Sequence, residues 1–255
     1  MIRKNKHTFK RKWGQNFLVD KNLLKKIADT INPKEEDSIV EIGPGEGALT
    51  EQIFSKVKEM AVVEIDPILI ELLHSRKDFS GLKIINSDIL TQQIDSLPIN
   101  NPVRIVGNIP YNITSPIIFW LIEQLHYWDD AFIMMQKEVA KRLIADVGTK
   151  SYGRLTVVAG AYLDYEYCFS IPPTVFIPKP KVDSAIVKFT KRNFAAVEDK
   201  KYLRFNKLVS AAFSQRRKML KNSLKPWDIS EKLKQKVDFN RRPETLTIKE
   251  FSSLV

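Results

Sequence analysis

The sequence predicts an open α/β fold, a mostly parallel sheet covered by helices on both faces, followed by a small helical domain. Three observations predict it. Between residues 38 and 145, short apolar runs alternate with amphipathic stretches, the pattern of strands buried on both faces and joined by crossover helices. A glycine-rich turn, GPGEG at 43–47, follows the first of those runs, where a strand must turn closely into a helix. From about Asn193 the texture changes to short, basic, helical patches. The expected division is a sheet domain over 1–192, with a basic N-terminal arm, and a helical domain over 193–255.

The elements follow in order. DKNLLKKIADTIN reads as a helix capped by Asp20, with Leu23, Leu24, Ile27 and Ile31 on one face and Pro33 after its end. SIVEIG (38–43) is a buried strand and ALTEQIFSKV (48–57) a helix. MAVVEID (60–66) is a strand, and PILIELLHSRK a helix with Pro67 in its first turn. LKIINSD (82–88) and VRIVGN (103–108) are strands, and SPIIFWLIEQLHYW (115–128) is a helix whose Trp120, Leu121 and Leu125 face the core. AFIMMQ is a strand and KEVAKRLIA a helix. YEYCFSI and DSAIVKFT, separated by the proline-rich PPTVFIPKPKV, read as an antiparallel pair closing the sheet.

With 255 residues and 44% apolar content, the chain supports one sizeable core and a small second unit. Its single cysteine, Cys168, excludes an internal disulfide and suits a reducing, cytoplasmic setting. The basic N-terminus lacks the apolar run of a secretory signal, and no stretch is apolar enough to span a membrane. Net charge is +11 and unevenly placed: residues 1–185 hold 23 basic and 23 acidic side chains, residues 186–255 hold 18 and 7. Residues 1–12 carry six Lys or Arg and no acid, so 13–185 is net −6. An acidic-leaning body between a basic arm and a basic tail points to a polyanionic partner, of which nucleic acid is the commonest. The acid-free run Arg216, Arg217, Lys218, Lys221 reads as a helix face for phosphate contacts.

In open α/β sheets, ligands bind at the carboxyl ends of the strands. The first strand runs into Gly43, Gly45 and Gly47, spaced G-x-G-x-G, where a dinucleotide fingerprint wants G-x-G-x-x-G and this chain has Ala48. The next strand ends at Glu64, a carboxylate suited to ribose hydroxyls. The third ends at Asp88, placed to accept from an adenine amine. Together these three ends predict an adenosine-binding site. Glu41 and Glu46 flank the loop without a Lys or Arg, which suits the sulfonium cation of S-adenosylmethionine better than a pyrophosphate.

The fourth strand ends in GNIPYN. An adenine amine is a poor nucleophile because its lone pair is spread into the ring. The Asn108 side-chain oxygen and a backbone carbonyl, of Ile109 or Pro110, can each accept one N–H and draw that pair back onto nitrogen. Pro110 stiffens the loop, and Tyr111 offers a face for an extruded base. Catalysis of this kind is orientation and electrostatics.

EIGPGEGALT, VVEID, NSDIL and GNIPYNITSP together resemble the rRNA adenine N6-dimethyltransferase family. Further matches span nearly the whole chain: KRKWGQNFLVD, QKEVAKRL, SYGRLTV, PPTVFIPKPKVDSAIV, FSQRRKMLKNSL and RRPETL. The last two favour the small-subunit branch. The resemblance implies a Rossmann-like, S-adenosylmethionine-dependent enzyme that needs no metal. Its substrate would be two adjacent adenosines in the 3′-terminal hairpin loop of small-subunit rRNA, methylated within a pre-ribosomal 30S particle by a monomer. It implies that Asn16 and Leu18 touch the cofactor with Gln15 nearby, and that Gly43, Gly45 and their loop hold the methionine part. Glu64 would bind the ribose, Asp88 the adenine, and Asn108 both the methionine side and the target amine. Phe176 would sandwich the flipped adenine with Tyr111. Thr114 replaces the family's usual Ser, and Ile109 its commoner Leu.

His7, His74 and His126 have no Cys or carboxylate at ligand spacing, so metal binding is not expected. Cys168 lies among aromatics and reads as a core residue. Three other functions share parts of the pattern: large-subunit rRNA methylation, a ribosome-assembly role resting on binding, and DNA adenine methylation.

Overall fold

The computed structural model describes residues 16–255, so the basic arm, Gln15 and His7 lie outside the described residues. In chain order the strands are β1 (Phe17–Leu18), β2 (Ser38–Ile42), β3 (Glu59–Glu64), β4 (Lys83–Asn86) and β5 (Val103–Asn108). They continue with β6 (Trp128–Gln136), β7 (Leu163–Ile171), β8 (Phe176–Ile177) and β9 (Ser184–Lys191). The helices are α1 (Lys21–Ile31), α2 (Thr50–Ile53), α3 (Pro67–Ser75), α4 (Thr114–Glu123) and α5 (Lys137–Leu143). Then come α6 (Arg154–Tyr162), α7 (Tyr202–Ser214), α8 (Leu220–Ser223), α9 (Glu231–Lys234) and α10 (Ile248–Ser252).

Seven strands form one sheet in the order β4-β3-β2-β5-β6-β9-β7. The pairs β2–β3, β3–β4, β2–β5 and β5–β6 are parallel. From β2 the chain winds outward through β3 and β4, then returns to the other side of β2 as β5. The order therefore reverses between β2 and β5, and the crevice at such a reversal is where open α/β sheets bind ligands. β2 is buried at all of its positions, as a central strand between two helical layers must be. The predicted final strands are neighbours at one end of the sheet, with β9 beside β6 and β7 at the edge.

α1 forms as its sequence demands. Asp20 accepts the Leu23 N–H at 2.9 Å, the buried stripe is Leu24, Ile27, Ala28 and Ile31, and Asn32 ends the helix in the left-handed region. Three helical elements differ from expectation. The helix after the glycine turn has one α turn, α2, and then tightens to a 3₁₀ turn over Phe54–Lys56. The long helix predicted to residue 128 stops at Glu123; Trp128, wholly buried, instead opens β6 opposite Val103. α6 was not foreseen as a helix: seven successive residues, Thr156–Tyr162, are buried, which removes the polar face that a period of 3.6 needs.

The chain divides into two compact units: 16–114, 126–137 and 167–188 in one, 115–125, 138–166 and 189–255 in the other. The core of the first includes Ile27, Ile39, Val62, Val106, Phe132 and Phe176. In the second, Tyr162 meets Tyr202 and Phe205 edge-on, and Phe213 lies 5.7 Å from Phe251. Tyr152 donates to the Leu246 carbonyl at 2.7 Å. Among the described residues, no helix is long and apolar enough to cross a membrane.

Arg104 staples the first unit at the end of the sheet away from the strand carboxyl ends. Its guanidinium meets Asp130 at 2.8 Å and Asp37 at 2.7 Å and donates to the Ile31 carbonyl at 2.7 Å. All three charged side chains are about 15% exposed or less. Arg104→Met should lower unfolding free energy by about 2 kcal/mol in urea melts, because it leaves Asp37 only the Lys34 N–H at 2.9 Å and Asp130 only Lys188 at 3.9 Å. A loss under about 1 kcal/mol would mean the network behaves as a solvated surface pair.

Candidate active site

The turn after β2 brings Gly43, Gly45 and Gly47 into the left-handed region, at φ of 64°, 60° and 83°. At two of them space is short as well. A Cβ at Gly45 would stand 2.9 Å from the Phe17 ring, and one at Gly47 2.5 Å from Phe79. Glycine thus allows the segment around Phe17 to lie directly on the loop.

Glu64, ending β3, faces this loop. Its carboxylate accepts the N–H groups of Ile65 at 2.9 Å, Asp66 at 3.0 Å and Gly45 at 3.3 Å. Burial raises its pKa, and the three amides pull it back down. Glu41, on β2, is 2% exposed and accepts from the Thr50 hydroxyl at 2.6 Å. Burial pushes its carboxyl up to about 7, against the Thr50 bond and with help from the negative charge of Glu64. Asp88 uses Oδ1 to accept the Leu90 N–H at 3.0 Å, which caps the turn after β4. Among the described residues nothing donates to its Oδ2.

Asn108 ends β5 beside the glycine turn, since Ile42 and Gly107 are register partners across β2 and β5. Its Nδ2 donates to the Asn16 carbonyl at 3.0 Å. That bond sets the amide's orientation and leaves Oδ1 as the acceptor. The Pro110 carbonyl already accepts the Ile113 N–H at 3.1 Å, which favours Ile109 as the source of the second acceptor. The Tyr111 hydroxyl bonds Ser184, a wholly buried residue of β9, at 2.6 Å.

A two-stranded ribbon, absent from the sequence reading, ties these parts together. β1 pairs antiparallel with β8, Leu18 opposite Phe176, and Val19 donates to the Val175 carbonyl at 3.0 Å. The 16–19 strap is thereby fixed to Gly45, to Asn108 and to the strand carrying Phe176. Phe176 itself is 3% exposed within the apolar cluster.

A cavity of about 280 Å³ lies within this frame. Asn16, Leu18, Gly43, Gly45, Glu64, Asp88, Asn108 and Pro110 all line it, whereas Tyr111 and Phe176 do not. Its charged lining is Glu41, Glu46, Glu64 and Asp88, with no Lys or Arg among the described residues. Such a wall repels a pyrophosphate and suits a cationic adenosine compound. Glu41 was noted in the sequence only as a negative neighbour of the loop; its burial and its bond to Thr50 place it in the wall.

The profile of the family described as ribosomal RNA adenine dimethylase matches residues 6–255. This chain belongs to that family. Ribosomal RNA small subunit methyltransferase A of Legionella pneumophila (strain Corby) is 39% identical over 251 residues, covering 98% of this chain and 97% of the relative. The protein of the same name from Staphylococcus carnosus is 39% identical, over 100% and 91%. A crystallised dimethyladenosine transferase from Plasmodium falciparum superposes with a TM-score of 0.74 at 25% identity, covering 93% of this chain and 95% of its own. The 23S rRNA methyltransferase ErmE superposes at 0.65 with 28% identity, covering 94% and 98%. As a ribosomal RNA adenine dimethylase the chain is an S-adenosylmethionine-dependent methyltransferase with a Rossmann-like sheet, and its acid-lined cavity has the electrostatics that such a donor needs.

Three of the four basic residues expected on one helix face are placed otherwise, and the fourth, Lys221, lies in α8. α7 ends at Ser214, where Gln215 leaves helical geometry at φ −124° and ψ 55°. Arg216, Arg217 and Lys218 then fall in the turn before α8. Arg216 donates to the carbonyls of Lys150 at 2.6 Å and Thr149 at 2.8 Å, holding that loop. Lys221 donates to Asn240 at 2.9 Å. Arg217 and Lys218 are exposed. Cys168 is half-buried against the core, a packing role.

Proposed function

We propose that this protein dimethylates the N6 amines of two adjacent adenosines in the 3′-terminal hairpin loop of small-subunit rRNA, on a pre-ribosomal 30S particle. It would act as a monomer in the cytoplasm, in keeping with one cysteine and an RNA substrate. The observation that carries the reading is the Asn108 amide, oriented by the Asn16 carbonyl at the edge of an acid-lined cavity.

When bound, S-adenosylmethionine supplies an electrophilic methyl group. Glu64 would hold the ribose, Asp88 the adenine amine, and the Gly43–Gly47 turn with Asn16 and Leu18 the methionine part. Asn108 Oδ1 accepts one N–H of the target amine and the Ile109 carbonyl the other, which turns the lone pair toward the methyl group. Tyr111, its hydroxyl fixed on Ser184, offers the stacking face. Phe176 becomes the second face when its ring leaves the apolar cluster. The amine loses its proton to water, so no basic side chain is required. Arg217, Lys218 and Lys221, within the basic segment 193–255, contact RNA phosphates, and Arg216 shapes that surface through the 149–150 loop.

The test uses labelled donor and purified particles. Label should enter small-subunit rRNA lacking the mark and none should enter large subunits. The likeness to ErmE favours a second reading, methylation of large-subunit rRNA, and the reverse labelling would establish it.

A pH dependence follows from Glu41. Its folded value, about 7, lies above its ordinary 4.5, so the folded protein holds the extra proton between those values. Stability of the donor-free protein therefore falls as pH rises from 4.5 to about 7. A cationic donor prefers the ionised carboxylate. Donor affinity should rise about tenfold between pH 6 and pH 8, with proton release in calorimetry. Glu41→Gln should make both slopes shallower, with Glu64, which burial also raises, carrying the remainder; an unchanged slope in that variant would assign the proton to another group.

A further inference from the structure

A second cavity, of about 610 Å³, opens in the second unit beside α8 and α9. Neither the donor nor the target amine uses it. Lys221, Lys225 and Lys234 line it together with Trp227, Phe239 and Asp238. Its frame is braced, because the N–H groups of Leu220 and Lys221 donate to the carbonyls of Arg241 at 2.9 Å and Phe239 at 3.0 Å. Trp227 and Phe239 are half-buried, so each ring keeps some surface open to solvent.

The polar groups here are unequally committed. Asp238 Oδ1 accepts the Asn240 N–H at 2.8 Å, and Lys234 pairs with Glu231 at 2.7 Å. Lys225 and the Trp227 indole N–H have no partner among the described residues. Three lysines against one acid make the lining net positive, opposite in sign to the donor cavity. Aromatic faces beside ammonium groups are the ingredients of single-stranded nucleic-acid binding: stacking accepts any base, and the cations take the backbone. A duplex hides its base faces, so only an unpaired nucleotide can use such rings.

We propose that this cavity binds one unpaired nucleotide of the RNA substrate, its base against Trp227 and Phe239 and its phosphate among the lysines. The proposal rests on the RNA-methylating reading above and adds an anchor remote in sequence from the catalytic loop. The anchor holds RNA and leaves the methyl-transfer step untouched, so its loss is felt in substrate binding.

The decisive probe is cytidine monophosphate, which lacks adenine and so does not mimic the donor. Titrated into the full-length protein, it should shift the Trp227 indole N–H resonance saturably, that peak being assigned by its loss in Trp227→Phe. Inorganic phosphate at equal concentration should leave the peak in place. With small-subunit particles, Trp227→Leu, which keeps apolar bulk, should raise KM about tenfold with kcat retained, and Trp227→Phe should restore KM. An indole peak that ignores the nucleotide, or follows phosphate equally, overturns the proposal. The titration uses wild-type protein and no particle, so it decides the pocket even if the small-subunit reading fails or a variant folds poorly.

Discussion

Asn108→Ala should lower the single-turnover rate of methyl transfer about 10²–10³-fold, the usual cost of removing one preorganised hydrogen-bonding group from the reacting centre. Donor affinity should fall much less, because the other lining groups are unchanged. The structure adds a sharper comparison in Asn108→Asp. The aspartate keeps the size and an acceptor oxygen, but it loses the Nδ2 donor and sets a carboxylate against the Asn16 carbonyl, 3.0 Å away in the wild type. The side chain then swings from its bond, and Asn108→Asp should be nearly as slow as Asn108→Ala. Tyr111→Ala should instead raise KM for the particle, since stacking contributes about 1–3 kcal/mol to holding a base. Either Asn108 variant transferring at the wild-type rate would remove Asn108 from the reacting centre.

The strand ends were legible in the sequence because each element there obeys a local rule. Gly43, Gly45 and Gly47 take positive φ where only glycine does so cheaply. Glu64 and Asn108 end buried strands, where a polar residue breaks an apolar run visibly. What stayed hidden depends on contacts between distant segments. The ribbon of β1 and β8 has two residues on each side, too few for any periodicity, and its partners lie at opposite ends of the unit's sequence. The partner of Glu41 is equally invisible: SIVEIG reads as a buried strand, but nothing in it names the Thr50 hydroxyl that its carboxylate accepts at 2.6 Å.

The basic segment shows the same limit from the other side. Its charge excess was plain from composition, and the role of single residues was not. Arg216 reads like its neighbours Arg217 and Lys218, yet its guanidinium is bound to two backbone carbonyls of a loop in residues 138–166 of its own unit. Charge pattern identifies a class of partner through its long range. Which cations remain available is decided by hydrogen bonds, whose partners the pattern does not contain.

Glu64→Ala should weaken S-adenosylmethionine binding about 100-fold, the loss of two hydrogen bonds from ribose hydroxyls to a charged acceptor at about 1.5 kcal/mol each. The carboxylate has a second task that makes the isosteric change informative. Three backbone N–H groups, of Gly45, Ile65 and Asp66, converge on its two oxygens. A glutamine offers one oxygen and one NH₂, so it either abandons the Ile65 and Asp66 amides or turns a donor toward Gly45. Glu64→Gln should therefore cost nearly as much donor affinity as Glu64→Ala, whereas a group that only touched ribose would tolerate the amide better. Calorimetric titration of each variant measures this directly, and donor-free urea melts separate the scaffold part, expected at about 1–3 kcal/mol for amides left without an acceptor. If Glu64→Ala bound the donor as tightly as the wild type, the ribose would have to sit elsewhere, and the carboxylate's task would reduce to fixing the glycine turn on the end of β3.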